Sequence, residues 1–359
     1  MQLKQRLDAV ISTYQAMDTT VDRSQVGEVQ ADEGWSQLQW NSLHTLFSEK
    51  IASQTNEVGA RSVAAKWGRK VLRSYSSSFY AVTRFLPADK RADVEMIYAA
   101  VRYPDEVVDT FQISATDKVE MLDAWQYYFD KTHYFPGIAT AVEHGIPVTL
   151  AGFRDVARRN GIPDEYYISF LTAMRSDLAP QQFVGWTDLI DRYIYGSASV
   201  VGYFLAHVYG SAKSASITEC MQSARALAIA LQLTNFARDV SDDAARGRCY
   251  LPVDRLDSAG RSISGRVLKG DHRSILEAKL QLAEEAATWY DRSEPGIQAF
   301  NPDSRIAIES CHRLYSRLNS KILNSESASE RSSLSMLEKL SVLPTNKYWQ
   351  LPVSLIFDR

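Results

Sequence analysis

From about Val63 to Asn324 apolar residues return every third or fourth position almost without interruption, which is the spacing of one helix face. Runs such as ADVEMIYAAVR, VEMLDAWQYYFDK, EYYISFLTAM, CMQSARALAIALQLTNFARDV and SILEAKLQLAEEAATWYDRS carry this period. Strand-like alternation between turn pairs is scarce. Breaks fall at Pro87, Gly137, Pro147, Gly161-Ile162-Pro163 and Pro252, where proline removes a helical N–H or glycine ends a turn. The expected fold class is therefore all-α, with residues 63–324 as one helical catalytic domain. An N-terminal helical extension covers 1–62 and a C-terminal tail covers 325–359, the latter opening on a serine-rich patch from Ser325 to Ser335.

Within the extension, Leu3, Leu7, Val10, Ile11 and Tyr14 form one apolar stripe at helical spacing. A polar stretch from Asp18 to Gly34 reads as a loop, and a second amphipathic helix follows through Trp35, Leu38, Leu43 and Phe47. These helices are expected to pack on the main domain, with a membrane surface as the alternative. From Tyr193 to Ala212 no Asp, Glu, Lys or Arg occurs, about the length of a bilayer span. Gly196, Ser197, Ser199, Gly202, His207 and Gly210 dilute its apolarity, so a buried helix is the reading adopted.

Hydrophobic residues make up 45% of the chain, enough for a sizeable core. A net charge of -3 without a basic stripe argues against a nucleic-acid partner. Cys220, Cys249 and Cys311 form no close pair, which argues against a disulfide framework and a zinc site. The N-terminus lacks the basic-then-apolar order of a secretory signal, so the expected location is cytoplasmic, with peripheral membrane contact as a variant.

Two acidic clusters carry the chemistry. Asp105 and Asp109 lie four apart in IYAAVRYPDEVVDTF and so share a helix face. Asn235, Asp239 and Asp243 repeat that rhythm over two turns in LTNFARDVSDDAARGRCYLP. Like charges at this spacing repel by a few tenths of a kcal/mol per pair, roughly, and a cation would offset that cost. Carboxylate and amide oxygens suit Mg²⁺, which keeps several waters and binds through one or two carboxylates plus substrate phosphates. Arg102, Arg238 and Arg248 accompany the acids, either as phosphate-binding forks or as intrahelical ion pairs. An isolated acid pair is most often just a solvated helix face.

The order SYSSSFYAVTRFLP, IYAAVRYPDEVVDTF, YIYGSASVVG and LTNFARDVSDDAARGRCYLP, over about residues 65 to 320, resembles the head-to-head trans-isoprenyl diphosphate synthases, the phytoene/squalene/dehydrosqualene synthase family. The wording is closest to the bacterial phytoene synthases. The resemblance implies an isoprenoid synthase bundle with a central apolar cavity. It implies Mg²⁺, with Mn²⁺ as an alternative, held by Asp105, Asp109, Asn235, Asp239 and Asp243, and no NADPH. It further implies that Arg102 and Arg238 contact diphosphate and that Arg248 and Tyr250, in the family's G-R-x-Y-x-P segment, bind substrate. Tyr75, Ser76, Ser78 and Phe79 would form a flap, with Tyr75 and the liberated diphosphate as rival bases. Asp177, Tyr195, Tyr290 and Arg305 would line the pocket. Two geranylgeranyl diphosphates are the implied substrates. Farnesyl diphosphate in a squalene or dehydrosqualene synthase, or a cyclising terpene synthase, is the runner-up. A non-catalytic binding module is the reading from another class, and intact acidic motifs speak against it. Two departures stand out: many members carry histidine where Tyr75 stands, and Pro104 is expected to kink the helix beside Asp105.

Overall fold

The computed structural model describes residues 34–328 and 330–344. The stripe expected through Leu3 to Tyr14 lies outside them. Among the described residues the chain is all-α, and β structure is limited to two isolated bridges, Ser211 with Phe300 and Leu256 with Ser262. By contacts it divides into two compact units, residues 34–80 with 88–164, and residues 81–87 with 165–344.

The first unit holds α1 (Gln37–Ala52), α2 (Glu57–Tyr75), the start of α3 (Ser77–Thr83), α4 (Ala88–Asp109), α5 (Ala115–Lys131), α6 (Ile138–Glu143) and α7 (Val148–Asn160). Ser36 opens α1 and Ser114 opens α5, each in a capping box in which the side chain three residues on bonds back to the cap. The expected α1 is present, with Trp40, Leu43, Phe47 and Ile51 buried and Leu38 turned out to solvent. Trp35, Leu43 and Phe47 of the expected stripe are buried, and Trp40 takes the place expected for Leu38. α2 runs continuously across position 63. Its first residue, Glu57, accepts the backbone N–H groups of Ile138 (2.5 Å) and Ala139 (3.3 Å), satisfying two donors at the start of α6. Gly68 lets α2 approach α4 closely: a Cβ there would lie 2.9 Å from the backbone of Glu95 and Met96. α4 runs unbroken through Pro104 to Asp109, so the proline does not end the helix before the first acidic cluster.

Between α1, α2, α4 and α5 sits an aromatic cluster of Trp35, Trp40, Trp67, Tyr75, Tyr103 and Trp125 around His44. His44 shares a hydrogen bond with Thr149 Oγ1 (2.9 Å), which also accepts from Trp67 Nε1 (2.7 Å). Aromatic edges and faces at such separations add to the area they bury.

The second unit begins with the end of α3 and continues through α8 (Asp164–Ser176), α9 (Trp186–Leu189), a π-helical segment (Ile190–Ser199) and α10 (Val200–Tyr209). It ends with α11 (Ile217–Ala245), α12 (Ile263–Val267), α13 (His272–Ser293), α14 (Pro302–Leu323) and α15 (Met336–Val342). α11 is the axis of this unit and packs most extensively on α13. The small residues of the uncharged stretch serve close packing. A Cβ on Gly196 would lie 2.7 Å from Ser169 O, and one on Gly202 would lie 2.9 Å from Ala224 O. No helix among the described residues is long and apolar enough to cross a membrane.

Candidate active site

Each acidic motif is found on one helix, next to an arginine. On α4, Arg102 Nη1 lies 2.5 Å from Asp105 Oδ2 one turn on, and Nη2 pairs with Glu106 Oε1. The guanidinium also stands over the Tyr75 ring, 4.4 Å from its centre. Burial works against its charge, but Asp105, Glu106 and the Tyr75 and Tyr98 hydroxyls outweigh it, so Arg102 stays a cation. Asp105 and Asp109 are half-buried, one turn apart, whereas Glu106 between them is fully buried.

The expected flap is put to mixed use. The Tyr75 hydroxyl faces inward, accepting from Trp35 N–H (2.8 Å) and Trp40 Nε1–H (2.8 Å) and donating to Glu106 Oε2 (3.3 Å). Burial and the Glu106 charge push it above the usual phenol range. Both lone pairs being occupied, Tyr75 is not placed to accept a proton, and its expected part as base is corrected accordingly. Ser76 Oγ accepts from Phe79 N–H (3.2 Å), capping α3. Ser78 and Phe79 are half-buried on α3, with the Phe79 ring 6.0 Å from Tyr98.

On α11, Arg238 forms a two-pronged contact with its neighbour Asp239 (2.9 and 2.6 Å). Arg331, from the serine-rich segment, reaches Asp239 Oδ1 at 2.7 Å and Asp242 at 3.9 Å. That segment is bolted on by Lys279, 1% exposed, whose Nζ donates to the carbonyls of Ser327, Ala328 and Glu330. Ser241 Oγ adds a bond to Ala328 O (2.9 Å). Burial raises the Asp239 pKa, but Arg238 and Arg331 more than reverse it and hold the carboxyl below its ordinary range. Asn235 and Asp243 are half-buried on the same helix.

α11 ends at Ala245, and beyond its Arg246 cap Gly247 (φ 76°) turns the chain back through Arg248 and Tyr250. There Arg248 Nη2 donates to Asp177 O (3.1 Å) and Tyr250 OH to Asp177 Oδ1 (3.3 Å). Tyr193 OH donates to Asp177 Oδ2 at 2.5 Å, and Phe236 of α11 stacks on Tyr250 with ring centres 4.0 Å apart. Asp177, Arg248 and Tyr250 are thus brought together, joined by Tyr193. The expected residue of that stretch, Tyr195, is exposed and meets only the edge of Tyr203 among the rings described. The i→i+5 pattern of the π segment, as in Val200 N–H to Tyr195 O, shifts which residues face Asp177. Burial and Asp177 raise the Tyr193 pKa, and the same two causes raise that of Tyr250, so both hydroxyls stay protonated.

Tyr290 is buried one residue away from Asn235, its hydroxyl 2.9 Å from Thr234 Oγ1. Arg305 is found apart from the acids. Its guanidinium binds Phe300 O, Gln298 O and Gln298 Oε1, and the adjoining Ala299 O meets Cys220 at the start of α11. From Cys220 to Asp239 the helix rises about 28 Å, so Arg305 is at the far end of α11 from the acids. Glu106, Tyr193, Lys279 and Arg331 were not singled out from sequence. Of these only Glu106 carried a signal, as the third acid of DEVVD.

Among the described residues no three Asp, Glu, His or Cys side chains lie close enough to hold an ion by themselves. The donor set nevertheless fits Mg²⁺, since half-buried carboxylates one turn apart beside arginines leave coordination positions for water and phosphate oxygen.

Solved structures define the class. A dehydrosqualene synthase in complex with ligand superposes with a TM-score of 0.65 at 20% identity, over 83% of this chain and 100% of its own. The squalene synthase HpnC from Alicyclobacillus acidocaldarius gives 0.60 at 21%, over 76% and 95%. The fold is the all-α isoprenoid synthase fold. Residues 72–338 match the squalene/phytoene synthase family, and the chain belongs to it; it is a prenyltransferase. Among curated relatives, a 15-cis-phytoene synthase of Paracoccus sp. is 29% identical over 272 residues, 75% of this chain and 86% of that protein. A phytoene synthase of Arthrospira platensis is 29% identical over 305 residues, 81% and 92%.

Proposed function

We propose that this chain joins two geranylgeranyl diphosphates head to head to give phytoene through a cyclopropylcarbinyl diphosphate. The observation that carries the reading is that each acidic motif lies on a helix with one acid, Asp105 or Asp239, beside an arginine, a donor set suited to a magnesium diphosphate. Its relatives named phytoene synthase support the C20 substrate.

Asp105 and Asp109 on α4, and Asn235, Asp239 and Asp243 on α11, are the residues that would hold magnesium, which when bound would supply Lewis-acid stabilisation of the leaving diphosphate. Arg102 and Arg238 present guanidinium donors to diphosphate oxygens as charge builds there. The first allylic C–O bond breaks with its electron pair leaving on diphosphate. The C2–C3 π pair of the second substrate then attacks C1 of the resulting cation, and loss of a proton closes the cyclopropane. Tyr193 and Tyr250, kept protonated, act as hydrogen-bond donors beside Asp177 and not as phenolate bases. Tyr75 has no lone pair to offer. The released diphosphate is therefore the group assigned to take the proton. A second ionisation, rearrangement and proton loss give the linear product.

The test is purified protein with geranylgeranyl or farnesyl diphosphate, with and without Mg²⁺ and NADPH, followed by mass analysis of the extract. A C40 hydrocarbon that needs Mg²⁺ but not NADPH is expected. Asp105→Ala and Asp239→Ala should each lower turnover on the order of a hundredfold or more, the scale for losing a group that meets transition-state charge. A C30 product would move the chain to the farnesyl branch, which its solved neighbours keep open as the second reading. Absence of any hydrocarbon from either substrate would refute both.

A further inference from the structure

One line of polar groups in the first unit begins before the family match. At its outer end, Trp35 N–H and Trp40 Nε1–H both donate to the Tyr75 hydroxyl at 2.8 Å. With its two lone pairs taken, that hydroxyl has its proton left to give, and the acceptor in reach is Glu106 Oε2 at 3.3 Å. Glu106, fully buried, offers its other oxygen to Arg102, and Arg102 reaches Asp105 at 2.5 Å while standing over the Tyr75 ring. Gly34 completes the enclosure: a Cβ there would fall 2.8 Å from Glu106 Oε2 and 3.0 Å from Tyr75 Cε1, so the backbone lies directly on the pair. Trp35 and Trp40 are 4% and 0% exposed, which holds the two donors in place.

We infer that Glu106 and Tyr75 are positioning residues that aim Arg102 and Asp105 at the diphosphate, and that residues 34–40, outside the matched region 72–338, are a working part of this half of the site. A buried carboxylate facing an arginine is costly unless its remaining lone pairs are satisfied. Tyr75 supplies that bond, and the two tryptophan donors dictate which way its proton points. Without them the hydroxyl can turn, Glu106 keeps only Thr110 and Arg102 as partners, and Arg102 is held less firmly in its rotamer. The inference rests on the proposed diphosphate chemistry of Arg102 and Asp105, and deepens it.

The test reads diphosphate binding rather than turnover. Inorganic diphosphate with Mg²⁺ is titrated calorimetrically into the wild-type protein, Tyr75→Phe, Trp40→Phe, Glu106→Gln and the Tyr75→Phe/Glu106→Gln double variant, with melting temperatures in parallel. Tyr75→Phe keeps the ring under Arg102 and should weaken diphosphate about tenfold, the scale of one hydrogen bond to a charged group. Trp40→Phe, one bond further out, should weaken it about threefold, and kcat should fall more than KM rises. The double variant should be no weaker than Glu106→Gln alone, because the two residues lie on one line. Unchanged affinity in Tyr75→Phe and Trp40→Phe beside a lowered melting temperature would reduce the line to core packing and overturn the inference. Additive losses in the double variant would overturn it equally. Should Tyr75→Phe fail to fold, Gly34→Ala, which presses on the same pair without removing a polar group, carries the same criterion. A wild-type protein that does not bind diphosphate with Mg²⁺ would sink the functional reading itself before any variant is consulted.

Discussion

Arg331→Gln should tighten divalent metal binding at the second acidic motif. Arg331 Nε stands 2.7 Å from Asp239 Oδ1 and 3.9 Å from Asp242, on a side chain 61% exposed. A pair this open to water is worth about 0.2–1 kcal/mol. An ion that draws on Asp239 must compete with the guanidinium, so removing it should lower the apparent dissociation constant by that amount, about 1.4- to 5-fold. Mn²⁺ serves as the spectroscopic stand-in for Mg²⁺, and its free signal is followed by electron paramagnetic resonance in substrate-free protein at low salt. Arg331→Lys, which keeps the charge but not the planar fork, should fall between. At 1 M salt, where screening acts within about 3 Å, the advantage should shrink, because the pair is exposed. Weaker Mn²⁺ binding in Arg331→Gln would refute the reasoning, since it would make Arg331 a helper of the site and not its competitor. Equal binding at low salt would show that the contact carries no measurable energy.

Two further outcomes concern stability. Burial drives the His44 imidazole down to about 3 from its ordinary 6.5, so the fold holds it neutral. The unfolded chain takes up a proton below pH 6.5 and the folded one does not, so this contribution is complete above that pH. It is lost as pH falls toward 3, by at most about 1.4 kcal/mol per unit. Urea unfolding at pH 7 and pH 5 should show wild type losing up to about 2 kcal/mol more than His44→Gln, and parallel losses would contradict this. Gly68→Ala gains about 1 kcal/mol of helix propensity but forces a Cβ onto the Glu95–Met96 backbone, which costs about 1–3 kcal/mol or more. The net should be destabilising in urea titration, and a neutral result would mean α2 and α4 can part without cost.

What could be read from sequence is what depends on neighbours along the chain. Helices, their serine caps, the stops at Gly137, Pro147 and Gly161, and the shared face of Asp105 and Asp109 all follow from spacing within a few residues. The inward turn of Tyr75 is decided 31 to 40 residues away, by Glu106, Trp40 and Trp35. Arg331 reaches Asp239 across 92 positions, and Lys279 binds carbonyls about 50 residues on. No local pattern encodes those meetings. The pairing of Arg305 with the 298–300 turn is likewise invisible in a helix-like run. Pro104 was expected to kink α4, and the helix runs on past it to Asp109. It sits late in a long amphipathic helix whose buried face, from Val94 to Val108, carries the chain through.

The π-helical segment Ile190–Ser199 acts as a phase adapter. A single π turn accommodates one residue beyond the α path, and this run extends over ten. Deleting one residue there would let i→i+4 bonds close. The stretch before it would then rotate by about 100° relative to Val200–Tyr209. Tyr193 would swing off Asp177 while Gly202 kept its seat against Ala224. A point substitution in this stretch acts through local packing, as at Gly196 against Ser169, whereas a change in length by one would be felt as a change of heading. Chains that differ here by a single residue are better aligned by which carbonyl each N–H meets than by which letter matches.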